Sequence, residues 1–144
     1  MQARLLFAIG ALALVTGCAS GMKHSEMRAS MPELKADEGR IYFYRRASMM
    51  GAAIQPEIRL NGAAVGTSIP GGFFFLNRPA GNYEANSTTE VDRKLTFTLA
   101  KGETKYIRTY TSFGVAVGRI NFELVSPADA AAEVDSLSYT GAPK

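Results

Sequence analysis

The sequence predicts an all-β domain: an antiparallel β-sandwich of about seven or eight short strands with one short helix at its carboxyl end. Three observations predict it. Short runs of alternating or doubly apolar residues recur, each closed by a turn signal. Glycine is abundant at 14 residues, and the 14 tyrosines and phenylalanines suit strands. The one helical signature, Ser126-Pro127 with Asp129, follows the last strand-like run.

At 144 residues, with 47% apolar and 20% charged residues, the chain fits one ordinary globular domain. Residues 1–17 read as a signal peptide, 18–38 as a flexible tether and 39–137 as the sandwich with its helix. Residues 138–144 read as a disordered tail. The formal charge is +3, or about +2 once Arg4 leaves with residues 1–17. The charges are scattered, with acids between the bases along the chain, which excludes the basic stripe that a nucleic-acid partner requires. A single cysteine allows no intrachain disulfide, so the core alone must hold the domain.

Arg4 supplies a positive start, and Leu5 to Val15 an apolar run of about eleven residues. That is well short of the roughly 20 that span a bilayer. Val15-Thr16-Gly17-Cys18 resembles the bacterial lipobox: an aliphatic residue, two small ones, then cysteine. The resemblance implies cleavage before Cys18 and its lipidation with thioether-linked diacylglycerol and an amide-linked chain such as palmitate. Two or three acyl chains anchor stably where one does not. Ala19 follows rather than Asp, which by the same resemblance implies the outer membrane, with the domain facing the periplasm.

Ala19 to Glu38 has no periodicity and mixed charges, so it reads as a tether of about 65 Å fully extended and about 25 Å as a coil. His24, the only histidine, falls in it and reads as solvated.

Arg40 to Arg46 is a strand with Ile41 and Phe43 on one face and Tyr42 and Tyr44 on the other, hence an inner strand. Ala47 to Gln55 is an apolar loop. Pro56 opens a strand in which Ile58 and Leu60 point inward. Asn61-Gly62 predicts a two-residue hairpin, pairing Leu60 with Ala63 and Ile58 with Val65. Phe73 to Leu76 forms a doubly buried core strand, and Asn77 to Gly81 a turn. Tyr83 and Ala85 lie on the next strand. Leu95, Phe97 and Leu99 alternate with Lys94, Thr96 and Thr98, and a turn at Lys101-Gly102-Glu103 leads to a return strand over Lys105 to Thr111. A loop at Ser112 to Gly118 precedes a last strand with Ile120, Phe122 and Leu124 inward. In the helix, Ser126 is the N-cap and Ala130, Val134 and Leu137 form the apolar stripe, suited to cover an open end or edge.

Several pieces in this order resemble one family: Gly39-Arg40-Ile41-Tyr42-Phe43-Tyr44-Arg45, Leu60-Asn61-Gly62, Val65-Gly66, Pro70-Gly71-Gly72 with the phenylalanines after it, Pro79-Ala80-Gly81-Asn82-Tyr83 and Gly102-Glu103. Together, over about residues 37–126, they resemble the bacterial lipoprotein domain family of unknown function DUF2846. Leu60 to Tyr83 also resembles PEGA-type surface β-domains. Neither resemblance supplies catalytic or binding residues.

The residues themselves point away from an enzyme. Nucleophilic catalysis needs a nucleophile beside a base, but Cys18 is committed to lipid and His24 lies in the tether. No cluster of histidines and cysteines suits a metal, Glu90 and Asp92 are too few for calcium, and no cofactor motif is present. What remains is surface. Arg45 and Arg46 beside Met50 are candidate contacts for an anionic sugar, a phosphate head group or a partner carboxylate, unless they simply end a strand whose loop tucks into the core. Phe113 is a candidate partner contact, or a buried hairpin tip. The expectation is a non-catalytic binding or scaffolding module, held to the membrane through Cys18 and engaging an envelope protein or cell-wall component. The alternative is a binder of small lipid or cell-wall fragments.

Overall fold

A computed structural model describes residues 17–88, 93–113 and 118–141. Residues 1–16 of the signal peptide, Glu90, Asp92, Val115 and Val117, and 142–144 of the tail lie outside the described residues. The elements in order are α1 (His24–Met27), β1 (Glu38–Tyr44), β2 (Glu57–Leu60), β3 (Ala63–Thr67), β4 (Gly72–Pro79), β5 (Gly81–Ser87), β6 (Leu95–Leu99), β7 (Thr104–Phe113), β8 (Gly118–Val125), α2 (Pro127–Val134) and β9 (Ser138–Tyr139). They form a five-stranded sheet, β8-β7-β1-β4-β9, and a four-stranded sheet, β3-β2-β5-β6.

β1 is the central strand because both its faces are apolar. Ile41 and Phe43 enter the core between the sheets, with Ile58, Leu60, Phe74, Leu76, Phe97, Leu99 and Ile107. Tyr42 and Tyr44 point to the other face, where Phe73, Ala130, Val134 and Leu137 cover them. The molecule therefore has three layers: α2 and the amino-terminal segment, the five-stranded sheet, and the four-stranded sheet. The helix lies over this sheet face rather than an open end. Ser126 Oγ accepts from Asp129 N at 3.3 Å, so the cap forms where the sequence places it.

The pairing is not wholly antiparallel. β1 pairs antiparallel with β4 but parallel with β7, and β9 is parallel to β4. A parallel neighbour needs a long crossover, and here the whole four-stranded sheet is inserted between β1 and β7. At the β2–β3 turn Asn61 and Gly62 both have positive φ, as the hairpin requires. The register then shifts at Ile58/Arg59, so Ile58 faces Gly66 and not Val65. The closeness of Phe74 accounts for a glycine there: a Cβ on Gly66 would stand 2.4 Å from its ring. The turn after β4 is also shorter than expected, since β4 runs to Pro79 and β5 starts at Gly81. Leu124 is exposed, whereas Asn121 is buried and donates to Ser112 Oγ at 2.8 Å.

Two segments expected to be loose are fixed. The presumed tail contributes β9, and residues 19–31 pack on the domain instead of forming a tether. Ala19 N donates to Pro70 O at 3.1 Å, and Tyr139 N to Met22 O at 2.8 Å. His24 is only 6% exposed. Its Nδ1 lies 2.8 Å from Asp135 Oδ1, and its Nε2 lies 3.2 Å from the Tyr42 hydroxyl. The ring meets Tyr42 and Phe73 edge-on.

Burial pushes the Tyr42 phenol up to about 12, with Tyr106 stacked on it at 4.8 Å adding to the effect. Tyr44 is raised as well, by burial first and by Glu133 second. Unfolding returns both to about 10. Stability is therefore full below pH 10 and declines as pH rises towards the folded values, by about 1 kcal/mol per tyrosine at pH 11. Denaturant titrations at pH 8 and pH 11 measure this, and Tyr42→Phe is expected to flatten the decline.

Candidate functional site

The candidate contact residues meet at the end of the sandwich where β1 finishes, here called the apical end. β1 pairs with β7 only up to Tyr44 and Arg108, after which β7 and β8 continue to Phe113 and Gly118 as a two-stranded arm. Five residues of strand extend the arm by roughly 17 Å. The loop from Ala47 to Pro56 leans on it. A Cβ on Gly51 would stand 2.7 Å from Thr111 Oγ1, and one on Gly118 would strike Ile54 Cδ1.

Arg45 holds this loop and is not a surface contact. It is 3% exposed. Its Nη1 donates to Ile54 O at 2.5 Å and to Ser68 O at 3.3 Å, and its Nη2 donates to Gly51 O at 2.7 Å. Burial lowers its pKa from the ordinary guanidinium value. The charge is thus solvated by backbone carbonyls, which turn inward because the loop wraps around it.

Arg46, next along the chain, points out. Its Nη1 is 3.9 Å from Glu133 Oε1. Glu133 is better held by others: Arg108 Nη1 donates to it at 2.7 Å and Tyr44 OH at 2.6 Å. Arg108 Nη2 also donates to Glu123 at 2.8 Å, which raises the Arg108 pKa. Two carboxylates therefore satisfy Arg108, and Arg46 is left with a long contact at the rim.

Between Met50 and Tyr110 lies an open cleft of about 500 Å³, with Arg46, Arg108 and Glu123 on its walls. Met49 is 88% exposed and Met50 69%, so this part of the loop does not tuck into the core. Phe113 is 60% exposed at the end of the arm and is not a buried tip. Cys18 is exposed at the same end. It lines a second hollow of about 390 Å³ together with Arg46, Ala47 and Gly71, so Arg46 and Ala47 border both hollows. The structure thus brings Cys18, Arg46, Met50 and Phe113 to one end and removes Arg45 from the surface.

Elsewhere, Lys23 Nζ donates to Ser138 Oγ at 3.0 Å, a serine–lysine pair that no sequence spacing marked. Its hydroxyl belongs to a serine 2% exposed in β9. Among the described residues no group of three or more His, Cys, Asp or Glu could hold a metal ion. Nor is any helix among them long and apolar enough to cross a membrane.

Residues 35–120 match the family described as "Protein of unknown function (DUF2846)". The match takes in both sheets from the start of β1 to the first residues of β8. An uncharacterized protein of Haemophilus influenzae is 27% identical over 135 residues, covering 90% of this chain and 80% of the relative. No solved structure matches the chain.

Proposed function

We propose that this chain, which belongs to the DUF2846 family, is a lipid-anchored, non-catalytic binding or scaffolding module of the outer membrane, facing the periplasm. One observation carries the reading. The lipobox cysteine is exposed, and the residue after it is bonded to a fully packed domain. Acylation there would hold the domain itself at the membrane. Its four-stranded sheet ends in the open edges β3 and β6, and an unpaired edge can accept a partner strand. An envelope protein or cell-wall component engaged along β6 fits that layout.

The second reading is a small-ligand binder for lipid or cell-wall fragments. The cleft beside Arg46 and Met50 favours it, since an apolar wall and a cation with only a long carboxylate contact suit an amphiphilic anion. Arg108 argues against it, because both ends of its guanidinium already hold carboxylates.

The test has two arms in one strain. Wild-type protein incorporates labelled palmitate and floats with outer membranes, and Cys18→Ser does neither; identical behaviour sinks the anchor. A photo-crosslinker at Thr98 on β6 then gives one discrete protein or peptidoglycan adduct. No adduct there, with small lipid or glycan fragments captured from the cleft instead, would replace the scaffold reading with the second one.

A further inference from the structure

We infer that the apical end is a membrane-seating face. Met49, Met50 and Phe113 enter the head-group layer of the leaflet that holds the Cys18 acyl chains, and Arg46 pairs with lipid phosphates at its edge. The inference rests on the lipidation of Cys18 proposed above.

The segment after Cys18 has little slack. A lipoprotein domain on a long tether could face the bilayer in any orientation. Here the chain is fastened from the first residue after Cys18. Ala19 is bonded to Pro70, Met22 to Tyr139, and His24 N to Leu137 O at 3.0 Å. Gly21 lies so close to β9 that a Cβ would stand 1.9 Å from Tyr139 O. A Cβ on Gly71 would lie 4.0 Å from the Cys18 Cβ, so the acyl chains would leave the molecule directly at the apical loops. The anchor therefore fixes which end meets the lipid.

That end has the chemistry of an interfacial surface. Met49, Met50 and Phe113 are among the few large apolar side chains exposed in the described residues, and all three lie there. Methionine is flexible and suits a fluid, irregular partner. Arg46 extends from the same loop, and a guanidinium matches phosphate geometry while its stem lies along apolar surface. A lipid surface is favoured over a protein because Cys18, the residue proposed to be acylated, borders the same hollow as Arg46, so its acyl chains would leave the molecule beside that loop.

The full acylated chain, reconstituted in vesicles of phosphatidylethanolamine and phosphatidylglycerol, tests this. Cys18 is blocked by its thioether, so Met50→Cys, Phe113→Cys and Lys101→Cys each carry one free thiol for an environment-sensitive fluorophore. Lys101 lies in the opposite turn, where Gly102 N bonds to Glu38 O. Lipids brominated near the glycerol backbone are expected to quench probes at 50 and 113 several-fold more than at 101. Equal, weak quenching at all three positions on an acylated, vesicle-bound chain overturns the inference and leaves the anchor standing. A chain that mass spectrometry finds unacylated overturns both. A discrete protein adduct from a crosslinker at position 50 in cells overturns the lipid face in favour of a protein partner.

Discussion

Phe43→Ala is expected to cost about 3–5 kcal/mol, the range for emptying a large aromatic site in a core. Phe43 is fully buried on the central strand and stacks on Phe74 with ring centroids 5.2 Å apart. It stands where both sheets meet, so neither neighbouring strand can collapse into the void without breaking a ladder on β1. Domains of this size have about 5–15 kcal/mol in total, so the variant should unfold at a far lower urea midpoint or fail to accumulate. Phe43→Leu keeps most of the volume and should lose less than half as much. Equal midpoints for wild type and Phe43→Ala would contradict the core assignment.

Arg45→Ala is expected to have the second large effect, about 3 kcal/mol, through a different route. It removes little apolar packing but takes the guanidinium from the carbonyls of Ile54 and Ser68 and leaves Gly51 O with Ile54 N alone. Those groups turn inward only because the guanidinium is there, so the loop from 47 to 56 should open. Hydrogen exchange would register that locally, with faster exchange at Ile54 N, which bonds to Gly51 O at 3.0 Å. Arg45→Lys should recover only part of the loss, since an ammonium cannot reproduce the forked geometry. An exchange pattern unchanged in Arg45→Ala would mean the loop is held by other contacts.

The parts of this fold that were legible in the sequence are those with a local period. The two faces of Ile41 to Tyr44, the inward set Leu95, Phe97 and Leu99, the Asn61-Gly62 turn and the Ser126 cap each rest on residues a few positions apart. The parallel β1–β7 pair was not legible, because nothing near Tyr42 says that Tyr106 will lie beside it. The slip opposite Ile58 is not legible for a related reason: the Gly66 it places there lies against the Phe74 ring, which comes from another strand across the core.

The docking of the amino-terminal segment is not legible in the sequence because its helical turns are too short to show a period. His24 and Met27 sit on the single turn of α1, and a 3-10 turn over Arg28–Ser30 leads to Met31, so no periodic stripe is long enough to read. The residual signal was composition: Met22, Met27 and Met31 are unusual in a supposed solvated linker. At the candidate site, Cys18 came from a motif and Met50 and Phe113 from apolarity, and the structure leaves all three exposed. The burial of Arg45 is not legible, because nothing in the sequence says that a charge will be surrounded by its own loop.

The bond between Tyr139 and Met22, with the Lys23–Ser138 bridge beside it, joins the two ends of the chain. Neither contact can exist until residue 139 has left the ribosome. Residues 22–25 are therefore fastened only once the carboxyl end has been made, although they are among the first to be synthesised. If Cys18 is processed as proposed, the stretch beside it would still lack these carboxyl-end contacts at that stage and be open to a processing enzyme. Only completion of the carboxyl end would withdraw that stretch into the folded body. On the lipoprotein reading proposed above, the order in which the chain emerges would separate in time the access that modification needs from the docked state of the finished segment.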